Sequence, residues 1–380
     1  MTDFESGASW VSEIPEEGLT VGFLPNEAFS VISHLSGIEV PREPDSKFAV
    51  PFRPAGIKNI LWSQALPKRA YKNYFQSIQD AIRLNSESDQ YEYFKNRVSK
   101  QQTLISSLQP ACIDEKAFAR RYADPTTVNK SVLASFTPMK GKTKQVDYNL
   151  TGTNTGRLTV ASGPQILTLK KEMRDILTSR FDGGKIMQFD YVSLEPRVAL
   201  ILSGQFPEKD IYTDLCKTVL NDQYGRQTAK LLTIATLYGM GVRRVKDLLG
   251  VSKQTALDIL GKLEVFFGVE DIKAHLEEEA KAGTIKNYFG RNIRVRNDAS
   301  HVLYNNYIQS SAMDAALEGF YEIVQGVAEQ GHQCVPLFLL HDAIIFDCHP
   351  ECFDKLDDIM RPGQNLSAFD SRLYMGAEEL

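Results

Sequence analysis

The chain has 380 residues, of which 43% are hydrophobic and 24% charged, with a net charge of −5. That length supports two or three subdomains around a substantial core, and the composition excludes a disordered, fibrous or collagen-like chain. Nothing global marks a polyanion binder, yet phosphate binding depends on local basic stripes, and five occur: Lys68/Arg69/Lys72, Lys140/Lys142/Lys144, Lys170/Lys171, Arg243/Arg244/Lys246 and Arg291/Arg294/Arg296. Any one alone reads as solvated surface more readily than as a contact; together they fit a polarised surface.

Cysteine usage and the N-terminus bound the compartment. The odd set Cys112, Cys216, Cys334, Cys348 and Cys352 lacks paired short spacings, which predicts a reducing environment and no disulfide framework. His332, Cys334, Cys348, His349 and Cys352 match no zinc spacing. Met1-Thr2-Asp3-Phe4-Glu5-Ser6 carries no basic-then-apolar signal, and no apolar run reaches the roughly 18 residues of a membrane span. A soluble intracellular protein without a membrane partner is expected.

In chain order, prolines at Pro15, Pro25, Pro41, Pro44, Pro51, Pro54 and Pro67 predict a small irregular N-terminal region. Helical spacing follows over 68–122, through Tyr71, Phe75, Ile78 and Ile82 and then Tyr91, Phe94 and Val98, with Asn85–Ser88 as the joint between two helices. Lys140–Thr143 reads as a loop. Strands and turns are expected from Thr151 to Phe189, and helices from Val198 to about Ala282. One helix follows Gln223-Tyr224-Gly225 and stops at Tyr238-Gly239. A hairpin turning at Gly290 is expected over Thr284–Val295, and an amphipathic helix over 301–329. Two apolar strands should then flank His341-Asp342-Ala343.

Chemistry concentrates at three places. Asp190 ends the apolar run Ile186–Phe189, and Asp342 follows Leu337–Leu340. A carboxylate at a buried strand end is rigidly held, which suits a metal ligand, although a lone one is as readily an ordinary turn residue. Between them Arg226, Lys230, Ile234 and Tyr238 recur at four-residue steps, each a drift of about 40° on a helix, so they share one broad face. Two carboxylates can hold divalent cations and two cations can grip a triphosphate, which together suggest metal-assisted nucleotidyl transfer.

These segments resemble family A (DNA polymerase I-like) nucleic-acid polymerases. Asp190-Tyr191 leading to Glu195 and Arg197 resembles the first palm motif; Arg226 to Gly239 resembles the fingers helix; Leu340-His341-Asp342 resembles the hairpin with the second metal-binding aspartate. Thr155-Gly156-Arg157-Leu158-Thr159 is similar to the segment opening the palm, Phe289-Gly290-Arg291 to a Gly-Arg turn, and Asn305 and Gln309 to the pair before the last palm helix. The resemblance covers about residues 151–380. It implies an α+β right-hand fold with a palm of antiparallel sheet plus helices, helical fingers and a helical thumb. The implied division is 1–66 N-terminal region, 67–150 thumb, 151–200 palm, 201–283 fingers and 284–380 palm again.

The resemblance further implies a template-directed DNA polymerase extending a primer 3'-hydroxyl with two Mg²⁺ ions (or Mn²⁺ as substitute) on Asp190, Asp342 and the Tyr191 carbonyl. Arg226, Lys230, Ile234, Tyr238, Glu195, Tyr191 and His341 would meet the dNTP. Lys230 would protonate pyrophosphate, and Glu195 would exclude a ribose 2'-hydroxyl. Arg157, Arg291, Asn305 and Gln309 would meet primer-template DNA, with Arg157 and Gln309 at minor-groove acceptors. Two departures stand out. Ile234 occupies a position usually aromatic, which predicts altered dideoxynucleotide handling, and Ala343 replaces the glutamate after the second aspartate.

Length leaves no space for a 3'-5' exonuclease domain of roughly 150–200 residues before a thumb starting near residue 68. A compact phage-type polymerase without proofreading is therefore expected, acting in the host cytoplasm, with a separate exonuclease, helicase or processivity factor as candidate partners. The alternatives are an RNA-synthesising or primase-like enzyme on the same fold, against which Glu195 argues, and a DNA-binding relative that has lost catalysis.

Overall fold

The computed structural model describes residues 91–380 apart from 151, 206, 367, 368 and 370–372, with only the backbone of 91–95. The irregular region expected over 1–66 and the first helix expected after residue 68 lie outside the described residues. The chain divides into two compact units. One contains residues up to Val98 together with Gly290–Arg294; within it helix α1 (Tyr91–Ser107) begins, and Gly290 turns at a φ of 80° ahead of a short strand. The other contains Ser99–Phe289 and Val295–Leu380.

In the larger unit the chain runs through β1 (Cys112–Ile113), α2 (Glu115–Ala123), α3 (Lys130–Ala134) and the antiparallel pair β2 (Asp147–Asn149) and β3 (Thr159–Ser162). Short 3-10 segments over Ile166–Thr168 and Lys171–Ile176, and then β4 (Leu177–Thr178), lead into β5 (Lys185–Tyr191). Strands and turns are expected here, and the structure makes two of the turns helical. Their cause is a spacing of three to four between the buried Ile166, Leu169, Met173 and Ile176, which seats one side of each turn on the core.

Helices follow as expected: α4 (Leu194–Leu202), α5 (Ile211–Thr218), α6 (Arg226–Leu237), α7 (Val242–Leu249), α8 (Lys253–Phe266) and α9 (Val269–Ala280). Strands β6 (Thr284–Lys286) and β7 (Asn292–Arg294) precede α10 (Ser300–Glu329), the hairpin β8 (Cys334–Leu339) and β9 (Ala343–Cys348), α11 (Leu356–Gln364) and β10 (Met375–Glu379). No described helix is long and apolar enough to cross a membrane, and the five cysteines are unpaired.

The core sheet is four-stranded and antiparallel in the order β10-β5-β9-β8. Its inner strands are covered on both faces and largely apolar: every residue of Ala343–Cys348 is buried, Asp347 among them. Alternation along β5 sends Phe189 and Tyr191 to one face, where they meet Phe346 (ring centroids 5.1 Å apart) and Phe320 of α10 (5.5 Å). Gln188 and Asp190 point to the other face, which Phe136 covers through Phe338 at 6.1 Å. Pro336 and a register shift between Pro336 and Phe338 sit in β8, an outer strand, where a missing N–H costs least.

Candidate active site

The register of the sheet assembles the carboxylates. Asp190 lies opposite Ala343 on β9 and Gly376 on β10, two residues without bulk, so its side chain faces an open end of the sheet. Asp342 lies in the β8–β9 turn, closed by the Leu340 N–H donating to the Ala343 carbonyl at 2.7 Å. The Tyr191 N–H donates to the Asp342 carbonyl at 2.9 Å, stitching strand end to turn. Asp190 Oδ1 is buried and accepts no hydrogen bond among the described residues. Burial first, then the charges of Asp342 and Glu378, push the Asp190 carboxyl up to about 7. Asp342 opens to the cleft by surface area, yet protein packed round its carboxyl raises it as well.

Two crowded, raised carboxylates with an unmet buried oxygen form a place where a divalent cation would relieve repulsion. Among the described residues no group of three or more His, Cys, Asp or Glu is gathered for a metal. A cation here would therefore have the two carboxylates of Asp190 and Asp342 from the protein's acidic side chains. That sparse, all-oxygen donor set fits Mg²⁺, which keeps several waters and binds through one or two carboxylates plus substrate phosphate. Beside them His341 is half-buried with an unpartnered Nδ1 among the described residues, and burial followed by Arg157 lowers its pKa.

Two buried contacts brace these positions. The Tyr148 hydroxyl donates to the Leu339 carbonyl (2.7 Å) and accepts from the Leu339 N–H (2.9 Å), fixing β8 three residues before Asp342. The Tyr191 hydroxyl donates to the Gly363 carbonyl at 2.6 Å, and a Cβ on Gly319 would lie 1.8 Å from that hydroxyl oxygen. Only glycine lets α10 approach the strand that carries Asp190 this closely.

From β5 the chain turns through Ser193, a left-handed residue at φ 53°, into α4. That uncommon conformation puts Glu195 in the first turn of α4, over the cleft. Its carboxylate accepts from Arg157 at 2.6 Å and from the Tyr238 hydroxyl at 2.6 Å. Arg197 is 1% exposed, and its guanidinium donates to the carbonyls of Val192 (3.4 Å), Pro207 (3.4 Å), Glu208 (3.1 Å) and Lys209 (2.9 Å) over the Tyr374 ring. One side chain thus fastens the turn after Asp190 to the loop before α5.

Opposite stands α6. Ala229, Leu232, Thr233, Ala235, Thr236 and Leu237 are buried, while Arg226, Lys230, Ile234 and Tyr238 are exposed on one face. The helix ends in a Schellman motif: the Met240 N–H reaches the Ala235 carbonyl at 2.6 Å, the Gly239 N–H reaches Thr236 at 3.3 Å, and Gly239 takes a φ of 69°. That stop sets Tyr238 at the cap, where its hydroxyl meets Glu195. Arg226 Nε donates to Asp210 Oδ2 at 2.8 Å, and this contact first of all holds the Asp210 carboxyl down to about 2.

The cleft between these walls encloses about 660 Å³. It is lined by Arg157, Asp190, Tyr191, Glu195, Arg226, Lys230, Ile234, Tyr238, Gln309, His341 and Asp342, so eleven of the thirteen residues singled out from the sequence meet there. Gln309 accepts from the Thr155 hydroxyl at 2.8 Å. Asn305 sits one turn earlier on α10 and does not line the cleft, and Arg291 belongs to the other compact unit. Sequence reasoning missed Tyr148, Gly319, Asp210, Tyr212 and Glu378. Of these only Asp210, a helix-capping residue before Ile211, carried a local signal.

A family model described as DNA polymerase family A matches residues 73–368. A DNA polymerase of Bacillus phage SP01 is 26% identical over 248 residues, which is 53% of this chain and 26% of that protein. The chain therefore matches about a quarter of the length of that relative. The POL domain of Pol1 from M. smegmatis, solved in complex with DNA primer-template and dNTP, aligns with a TM-score of 0.54 at 16% identity, over 93% of this chain and 63% of that one. The mixed helices and sheet described above are thus those of an α+β polymerase fold. With the family match running over well more than half its length, the chain belongs to DNA polymerase family A.

Proposed function

We propose that this chain is a template-directed DNA polymerase adding deoxynucleotides to a primer 3'-hydroxyl. The observation that carries the reading is the facing of two carboxylates, Asp190 and Asp342, across one cleft from the cationic face of α6, with the Asp342 charge helping to raise Asp190. Neither wall suits the chemistry alone; together they bracket a nucleoside triphosphate.

Asp190, Asp342 and the Tyr191 carbonyl would hold Mg²⁺, which when bound lowers the pKa of the 3'-hydroxyl and offsets charge on the triphosphate. Arg226 and Lys230 bind the phosphates, and the Lys230 ammonium gives a proton from Nζ to the departing pyrophosphate. Lys230 makes no ion pair among the described residues, so its three donors remain available. Ile234 and Tyr238, 40% and 42% exposed, offer a surface to base and sugar. Glu195, held between Arg157 and Tyr238, fills the space of a 2'-hydroxyl and so selects deoxyribose. Arg157 and Gln309 reach minor-groove acceptors of the primer-template end. In this reading residues 151–200 and 284–380 form the palm, 201–283 the fingers and 67–150 the thumb.

The test is extension of a labelled primer on a DNA template with Mg²⁺, comparing dNTPs with NTPs. Extension with dNTPs is expected. Extension with NTPs alone would move the protein to RNA synthesis, and extension with neither would overturn the reading.

A further inference from the structure

We propose that Asp210 is a positioning residue that aims the Arg226 guanidinium at the triphosphate. The inference rests on the reading of the cleft as a nucleotide site and deepens it.

Arg226 is the first residue of α6, with its side chain about half exposed, and an arginine so placed would ordinarily sample many rotamers. Here it is held from two sides. Asp210 Oδ2 accepts its Nε–H at 2.8 Å, and the Tyr212 ring lies beneath, 5.2 Å from the guanidinium carbon. This contact occupies one of five N–H donors and leaves both terminal amino groups for phosphate. The guanidinium is therefore oriented without being consumed.

Asp210 is itself immobilised. Its Oδ1 caps α5, accepting from the Tyr212 and Thr213 N–H groups at 3.2 and 3.3 Å, and its Oδ2 also accepts from the Thr213 hydroxyl at 2.8 Å. The preceding carbonyls, Glu208 and Lys209, are bound by Arg197, whose other end grips Val192, two residues past Asp190. A continuous chain of contacts thus runs from the carboxylate strand through Arg197 and Asp210 to the phosphate-facing arginine. It fixes the spacing between the two walls. Orientation supplied in advance removes ordering entropy that the nucleotide would otherwise have to offset on binding.

The experiment compares steady-state primer extension over a range of dNTP for Asp210→Asn, Asp210→Ser, Arg226→Ala and Asp210→Asn/Arg226→Ala, with a thermal melt on each. Asparagine and serine both cap helices, so the fold of α5 is kept while the ion pair is lost. For both Asp210 variants the KM for dNTP should rise about 2–5-fold, the increment of one well-oriented exposed ion pair, with kcat within about 1.5-fold. Arg226→Ala should raise KM further, and adding Asp210→Asn to it should change nothing more. An unchanged or lowered KM in both Asp210 variants, or a double variant worse than Arg226→Ala, overturns the positioning role while leaving the nucleotide site standing. If Arg226→Ala itself leaves KM untouched, the triphosphate reading of that residue falls, and this inference with it.

Discussion

Asp190 stands between the buried Phe189 and Tyr191 on an inner strand, whereas Arg226 and Lys230 stand in solvent on the outer face of a helix. On the strand wall the protein desolvates its charges and crowds them, so that the Asp190 carboxyl is pushed up to about 7. On the helix wall the charges keep their water, and orientation comes from partners such as Asp210. The difference teaches how one cleft divides its labour. Positions that must not move are built into the core at a cost in stability, and those that meet a variable substrate are left hydrated. Removing a charge from the strand wall should therefore exchange activity for stability, and substitutions on the helix wall should alter binding with little effect on folding.

The largest effect is expected for Asp190→Asn. Losing several kcal/mol of charge stabilisation at the reacting centre corresponds to about a 10³-fold drop in extension rate. The same change removes the repulsion with Asp342, so the melting temperature at pH 8 should rise; a parallel loss of activity and stability would break the comparison. Next comes Glu195→Ala, which deletes both 2.6 Å bonds at the cleft rim. Ribonucleotide incorporation should rise about 10–100-fold against deoxynucleotides, while the melt shifts little. An unchanged preference would refute the sugar-selecting role.

Gly319→Ala tests the strand wall from behind. Its Cβ would press on the Tyr191 hydroxyl and on the Gly363 carbonyl 2.9 Å away, and overpacking of this kind costs about 1–3 kcal/mol. Denaturant unfolding should show the loss, with reduced extension because the strand bearing Asp190 must shift. A silent substitution would mean that α10 does not set that strand.

The smallest effect is on stability against pH. Asp190 titrates near 3.8 unfolded and about 7 folded, so between these values the folded state holds the extra proton. Its contribution is complete below pH 4, falls as pH rises towards 7, and is flat above. Discounted for solvent screening in an open cleft, the change is on the order of 1–2 kcal/mol. Urea melts of the metal-free protein across this window should show it, and Asp190→Asn should lose that component.

Much of this arrangement was legible beforehand, for local reasons. Apolar runs ending in Asp190 and Asp342 marked strand ends because strands covered on both faces are largely apolar. The four-residue spacing of Arg226, Lys230, Ile234 and Tyr238 marked one helix face, and Gly239 marked its end. What stayed hidden depends on the third dimension. Gly319 lies in a helix buried along most of its length, where no pattern distinguishes a close approach from ordinary packing. Glu378, near the far end of the chain, reaches Asp190 only through sheet register. Arg197 was visible as part of a motif, but its carbonyl partners at 207–209 could not be read from it. Asn305 shows the reverse: its motif is intact, yet the helix carries it one turn away from the cleft lining.

The central claim is that the paired aspartates, and not duplex binding alone, carry the reaction. The most direct measurement is single-turnover primer extension by wild type and Asp342→Asn across a Mg²⁺ titration, with primer-template affinity measured on the same samples. The prediction is near-equal duplex affinity with extension reduced about 10³-fold at every Mg²⁺ concentration. Near-normal turnover by Asp342→Asn would contradict it.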